Sequence, residues 1–265
     1  MYEELWYSYL MQRVNTVWIS TPPRTGSMWI FNVAREIYKT LGFNVEPSIV
    51  PQNDSEMFEI YHDRAINELN NNIKFILKIH TPLKPDLARS KIITTIRDPR
   101  DMCVSFREFM KTNFNQSLNA TKSLINFSKI YKNFDKNYIL ILKYENIEKN
   151  PIEMILKISE FLNENINYDQ AFEISKKFSK KNVIEIINKK NKEIKEKILK
   201  KSKIDKKDIV IISNENIRSY DKNTGFQTGH ISQRKSGDWK KTLSSEEIEI
   251  INSQFKDWLI EFEYI

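Results

Sequence analysis

Thr16-Val17-Trp18-Ile19-Ser20-Thr21-Pro22-Pro23-Arg24-Thr25-Gly26-Ser27-Met28-Trp29 is the stretch on which the fold turns. Its first five residues form a short, largely apolar run with β-branched content, the kind a parallel sheet covers on both faces. Beyond the turn, Ile30, Val33, Ala34, Ile37 and Leu41 stand three and four apart, which marks a helix, and Gly42 suits its C-cap. A strand followed by a turn of Pro, Arg, Thr and Gly and then by a helix aims backbone N–H groups and hydroxyls at one point. The positive end of the helix adds to them, so the turn suits a phosphate. The nucleotide-kinase form of such a loop reads G-x-x-x-x-G-K-[ST]. Here Thr21 stands where its first glycine belongs and Ser27 where its lysine belongs, which disfavours a kinase.

Working outward, further short runs at 74–79, 91–96 and 138–142 match the first in length and apolar character, and helical patterns lie between most of them. This order predicts an α/β fold, a single domain over residues 1–265 with a central parallel sheet flanked by helices. Such sheets bind ligands beyond the carboxyl ends of their strands. Lys78-Ile79-His80 closes the second run, and period-2 alternation puts Lys78 and His80 on one face. Arg97-Asp98-Pro99-Arg100-Asp101 follows the third and opens a helix: Arg97 offers a planar fork to a phosphate and Ser105 a further donor. The same charged residues also suit surface ion pairs that cap the helix, and His80 alone also suits a structural role.

Composition narrows the function. The 265 residues carry 42 Lys and Arg against 35 Asp and Glu, a net charge of +7 that favours an anionic ligand. Lysines crowd residues 176–207 with Ile184, Ile187, Ile194, Ile198 and Leu199 among them, which reads as an amphipathic helix with a solvated face. The single cysteine, Cys103, excludes an internal disulfide, and the three histidines at 62, 80 and 230 show no zinc-ligand spacing. No metal is expected. The Met-Tyr-Glu-Glu start has neither a signal-peptide pattern nor a membrane-spanning run, so the expectation is a cytoplasmic protein with no membrane and no nucleic-acid partner. Near the C-terminus, Ser244 with Glu247 makes a capping box ahead of Ile248, Ile251, Phe255, Leu259 and Phe262 at helical spacing.

Together these segments resemble the sulfotransferases that use 3′-phosphoadenosine 5′-phosphosulfate (PAPS). The loop carrying Arg24, Thr25, Gly26, Ser27 and Met28 resembles that family's 5′-phosphosulfate loop, and Trp29 stands in the place of its adenine-stacking tryptophan. The segment from Arg97 to Ser105 resembles its 3′-phosphate motif, Lys78-Ile79-His80 its K-x-H with the catalytic base, and Tyr144-Glu145-Asn146 the Tyr-Glu-Asp whose tyrosine meets the adenine. Arg234-Lys235-Ser236-Gly237-Asp238-Trp239-Lys240 is similar to the R-K-G-x-x-G-D-W-K loop that closes over the donor. Met28 replaces a frequent Thr and Asn146 the usual Asp. Arg234 stands three rather than five residues before Gly237, which puts Ser232 at the arginine position.

The resemblance implies PAPS as donor co-substrate, a hydroxyl or amine of a small molecule or carbohydrate as acceptor, and in-line transfer. Catalysis then falls to His80 as base, with Arg24 and Lys78 neutralising charge on the leaving phosphate and the sulfonyl oxygens. Arg234 is favoured to complete the 3′-phosphate site, with Lys235 or Ser232 as its substitutes. Residues 43–73 and 108–125 are candidate acceptor loops, with Phe58, Tyr61, Phe106 and Phe109 as pocket walls or core. A monomer and a homodimer both remain open. Two other classes stand beside this one: a P-loop phosphotransferase with Mg²⁺ on Asp98, and a non-catalytic nucleic-acid binder using the 176–207 lysines.

Overall fold

The computed structural model describes residues 15–83, 90–213, 216–232 and 234–265. The expectations drawn from the first four residues lie outside these. Five strands, β1 (Thr16–Ser20), β2 (Asn44–Glu46), β3 (Ile73–Ile79), β4 (Ser90–Ile96) and β5 (Ile139–Lys143), form one sheet in the order β2-β3-β1-β4-β5. Every pairing is parallel. The four runs read from the sequence match these strands to within a residue at each end. The edge strand β2, inside a stretch expected to be loop, is only Asn-Val-Glu with Val45 alone buried, too short to show as an apolar run. β1 and β4 are buried at every position, which is why their sequences do not alternate.

Helix α1 (Ser27–Thr40) lies on the sheet through Ile30, Phe31, Val33, Ala34 and Ile37. It ends where expected: Gly42, at φ +88°, returns its N–H to the Lys39 carbonyl at 3.1 Å. The segment expected to be an acceptor loop is partly helical, with α2 (Asp54–Asp63) capped by Asn53. Helix α3 (Pro99–Met110) starts on Asp98, which accepts the Arg100 N–H, with Pro99 in its first turn. The charges there are not at the surface, since Asp98 and Arg100 pair at 2.8 Å with both residues buried. Helices α4 (Phe114–Thr121) and α5 (Ser123–Tyr131) lead to β5, and α6 (Tyr144–Lys149) and α7 (Pro151–Phe161) follow it.

The lysine-rich stretch is two helices, α8 (Tyr168–Lys177) and α9 (Lys180–Leu199), divided at Phe178 and Ser179. The apolar stripe of α9 runs through Val183, Ile187 and Ile194 and stops there; Ile198 and Leu199 are exposed. An antiparallel pair, β6 (Ile209–Ser213) and β7 (Asn216–Ser219), precedes the C-terminal loop. The capping box at Ser244 and Glu247 forms as expected, but the following helix breaks at Phe255 into α10 (Ser245–Gln254) and α11 (Lys256–Glu261). Ile251, Phe255, Trp258 and Leu259 bury with Met102 and Cys103 of α3 and with Trp239, so the C-terminal helices anchor the loop carrying Gly237. Among the described residues, no helix is long and apolar enough to cross a membrane.

Candidate active site

Strand register sets the site. Ser20 pairs with Ile79 and Ile96 with Lys143, so the residues that follow, Thr21, His80, Arg97 and Tyr144, emerge together at the carboxyl edge of the sheet. They stand at a cavity of ≈ 850 Å³, within the usual range for small-molecule sites. Lys78, His80, Arg24, Gly26, Ser27, Met28, Trp29, Arg97, Tyr144 and Lys235 line it. Thr25, Ser105 and Arg234 do not.

The first loop turns through two left-handed residues, Arg24 at φ 65° and Gly26 at φ 95°. Gly26 is required by a close approach as well, since a Cβ there would lie 3.0 Å from the Tyr144 ring. Thr25 faces inward: its hydroxyl donates to the Pro22 carbonyl at 2.7 Å and bonds the Thr95 hydroxyl at 2.5 Å. It holds the loop's shape and leaves only its main chain for a ligand. Ser27, Met28 and Trp29 form the first turn of α1 at the cavity wall.

Arg24 donates from Nε to Ser105 Oγ at 3.1 Å and from Nη2 to the His230 carbonyl at 3.3 Å, with its guanidinium 4.2 Å over the Phe109 ring. Arg97 donates from Nη1 to the Arg24 carbonyl at 2.9 Å and lies 4.0 Å over the Tyr144 ring. Its Nε–H is buried and has no partner among the described residues. Burial, then repulsion from Arg97, pushes the Arg24 pKa down to about 10. A half-buried and a buried cation that raise each other's energy favour an anion between them.

His80 accepts no ambiguity of tautomer. Nδ1 lies 2.9 Å from the Thr21 carbonyl, which can only accept, so Nδ1 carries the proton and Nε2 keeps its lone pair. Nε2 faces Lys78 Nζ at 3.3 Å, on the shared face that alternation predicted. The ring is open to the cavity but walled by protein. That burial, with Lys78 and Arg24 nearby, lowers its pKa to about 3 despite the Thr21 bond, so the imidazole is neutral. Burial also lowers the Lys78 ammonium, opposed by Asp54.

The C-terminal loop is gripped by carboxylates. Asp101 accepts from the Gly237 N–H at 2.7 Å and the Trp239 N–H at 3.3 Å, and Glu148 accepts from the Ser236 N–H at 3.0 Å and hydroxyl at 2.6 Å. Arg234 turns outward, with Nε on Glu108 at 2.6 Å and Nη1 on Thr242 Oγ1 at 2.6 Å. Lys235 takes the cavity side. Of the aromatic residues considered as pocket walls, Phe106 and Phe109 line the cavity, whereas Phe58 and Tyr61 pack on Trp18 in the core at 5.5 and 5.0 Å. His230, stacked on Phe109 at 5.5 Å, Asp54, Tyr220 and Phe226 also line the cavity. The sequence carries no motif around them; proximity of Gly225 and Gly229 to His230 was the one local signal.

The sulfotransferase domain model matches residues 15–263. An amine sulfotransferase of Oryctolagus cuniculus is 24% identical over 277 residues, covering 94% of this chain and 84% of the relative. Among solved structures, retinol dehydratase in complex with androsterone and inactive cofactor PAP superposes with a TM-score of 0.62 at 18% identity, over 95% of this chain and 82% of that one. A mouse sulfotransferase complexed with PAP gives 0.58 at 17% identity, over 96% and 88%. At these identities the structures speak to the fold, which they share.

Proposed function

The chain belongs to the sulfotransferase domain family, and we propose that it transfers the sulfonyl group of PAPS to a hydroxyl or amine of a small-molecule or carbohydrate acceptor. The observation that carries the reading is the meeting, at one cavity, of Arg24 and the buried Arg97 with a neutral imidazole whose Nε2 faces Lys78. The Arg97 Nε–H is a donor without an acceptor among the described residues, which fits a phosphate oxygen. The similar proteins, an amine sulfotransferase and two structures in complex with PAP, support the same donor and an O or N acceptor.

In the step, a bond forms from the acceptor oxygen or nitrogen to sulfur as the bond from sulfur to the phosphate oxygen breaks. His80 Nε2 takes the acceptor proton, and the electron pair leaves with the 3′,5′-bisphosphate. A positioned base contributes about 10²- to 10⁴-fold. Lys78 and Arg24, which add to the burial that lowers the His80 pKa, are cations the donor's phosphates would neutralise, which raises the proton affinity of the imidazole when the proton must be taken. Arg24 faces the charge that develops on the leaving phosphate. Arg97 and Lys235 hold the 3′ end, with Tyr144 and Trp29 at the adenine, and Ser105 acts from behind the cavity wall by holding Arg24.

The magnesium-dependent reading loses its ligand, because both Asp98 carboxylate oxygens are engaged by Arg100. The nucleic-acid reading loses part of its charge: Lys190 and Lys197 pair with Asp208, and Lys177 with Glu36. The test is a panel of hydroxyl and amine acceptors with PAPS, measuring release of the bisphosphate. His80→Ala should abolish turnover while bisphosphate affinity stays within a few-fold. Arg97→Ala should weaken that affinity by about tenfold or more, and Lys200→Ala should leave it unchanged. Turnover near the wild-type rate in His80→Ala removes the base assignment, and unchanged affinity in Arg97→Ala removes the donor site.

A further inference from the structure

We propose that Asp54 is the positioning residue for His80, an inference that rests on the reading of His80 as the base. Asp54 Oδ2 accepts from the His80 main-chain N–H at 2.8 Å and from the Thr81 hydroxyl at 3.2 Å, across 26 and 27 positions of chain. A carboxylate in the first turn of a helix is favourable by itself, and that would explain an Asp at the start of α2. The direction of this one says more. Asn53 already caps the helix, accepting the Glu56 N–H at 2.9 Å, and the Asp54 oxygen is turned to the turn after β3 instead.

His80 is thereby held from two sides. The Thr21 carbonyl fixes its ring through Nδ1–H, and Asp54 fixes its backbone, leaving Nε2 to face Lys78. Neither bond alone sets both the position and the rotation of the imidazole. Asp54 and Gln52 themselves line the cavity, so the segment that seats the base is also part of the cavity wall. A displacement of about 1 Å at a reacting group can lower a rate about 10²-fold, so the contact is expected to act on kcat.

The experiment measures steady-state kinetics and the ¹⁵N spectrum of the His80 ring in wild type, Asp54→Ala and Asp54→Asn. Asp54→Ala should lower kcat by about tenfold to a hundredfold while bisphosphate affinity and the KM for PAPS stay near wild type. Asp54→Asn keeps a carbonyl acceptor of the same reach and should recover most of that loss. The spectrum should show one Nδ1–H tautomer in wild type and the asparagine variant, and a mixture in the alanine variant. Should Asp54→Ala not fold, Asp54→Ser, which suits a first helical turn but stops short of His80, is expected to behave the same way. A single tautomer with unchanged kcat in the alanine or serine variant overturns the proposal, and so does an asparagine variant as impaired as alanine. If the wild type transfers no sulfonyl group, the functional reading fails, and the ¹⁵N spectra still decide whether Asp54 orders the ring.

Discussion

Gly26→Ala should separate the two demands placed on the first loop. Its φ of 95° lies in the left-handed region, where an alanine costs about 1–2 kcal/mol. Gly42, at φ +88°, imposes the same backbone cost, but a Cβ there meets nothing within 4 Å, whereas one at Gly26 meets Tyr144 at 3.0 and 3.4 Å and Ile147 at 3.8 Å. Arg97 lies 4.0 Å over the Tyr144 ring, so displacing the ring by a few tenths of an ångström moves the guanidinium as well. Gly42→Ala should therefore melt lower by the backbone cost alone, about 2–4 °C for each kcal/mol in a chain of this size, and Gly26→Ala by at least as much. Only Gly26→Ala should also lose affinity for the 3′,5′-bisphosphate, by about tenfold if one charge-assisted contact is lost. Thermal denaturation and titration calorimetry on the two proteins measure this. Equal affinity in both variants would refute the role given to the contact between Gly26 and Tyr144, and a comparable loss in Gly42→Ala would show that strain alone is responsible.

The C-terminal loop yields a second contrast: Lys235→Ala should weaken the 3′,5′-bisphosphate by about tenfold but hardly affect adenosine 5′-phosphosulfate, which lacks the 3′ group. Arg234→Ala, whose side chain is bound to Glu108, should discriminate far less between the nucleotides, and the reverse order returns the 3′-phosphate to Arg234. Burial raises the Asp101 carboxyl to about 6, against the lowering by the Gly237 N–H and Arg97. Because its folded pKa exceeds the unfolded value of about 4, the native state binds this proton more tightly, and the stability so gained at low pH is lost as pH rises through about 6. Urea unfolding of wild type and Asp101→Asn over that window should show the wild type losing ground to the variant as pH rises, and parallel curves would contradict it.

What the sequence determined by itself was the scaffold and its edge. Short β-branched runs, a glycine-closed helix and a capping box at Ser244 are local patterns, set by backbone sterics and by burial on both sheet faces, and they placed Arg24, His80, Arg97 and Tyr144 at strand ends before any contact was known. The alternation that put Lys78 beside His80 belongs to the same kind. Directions of side chains across the fold do not. Thr25 turns inward because Thr95 and the Pro22 carbonyl offer it partners, Arg234 turns outward because Glu108 lies 126 positions away, and Phe58 and Tyr61 join Trp18 rather than the cavity. His230 and Asp54 enter the site through bonds to Arg24 and His80 spanning 206 and 26 positions. Only the tertiary structure decided these, because a polar or aromatic side chain goes where a distant partner lowers its energy, and the residues next to it in the chain carry no record of that partner.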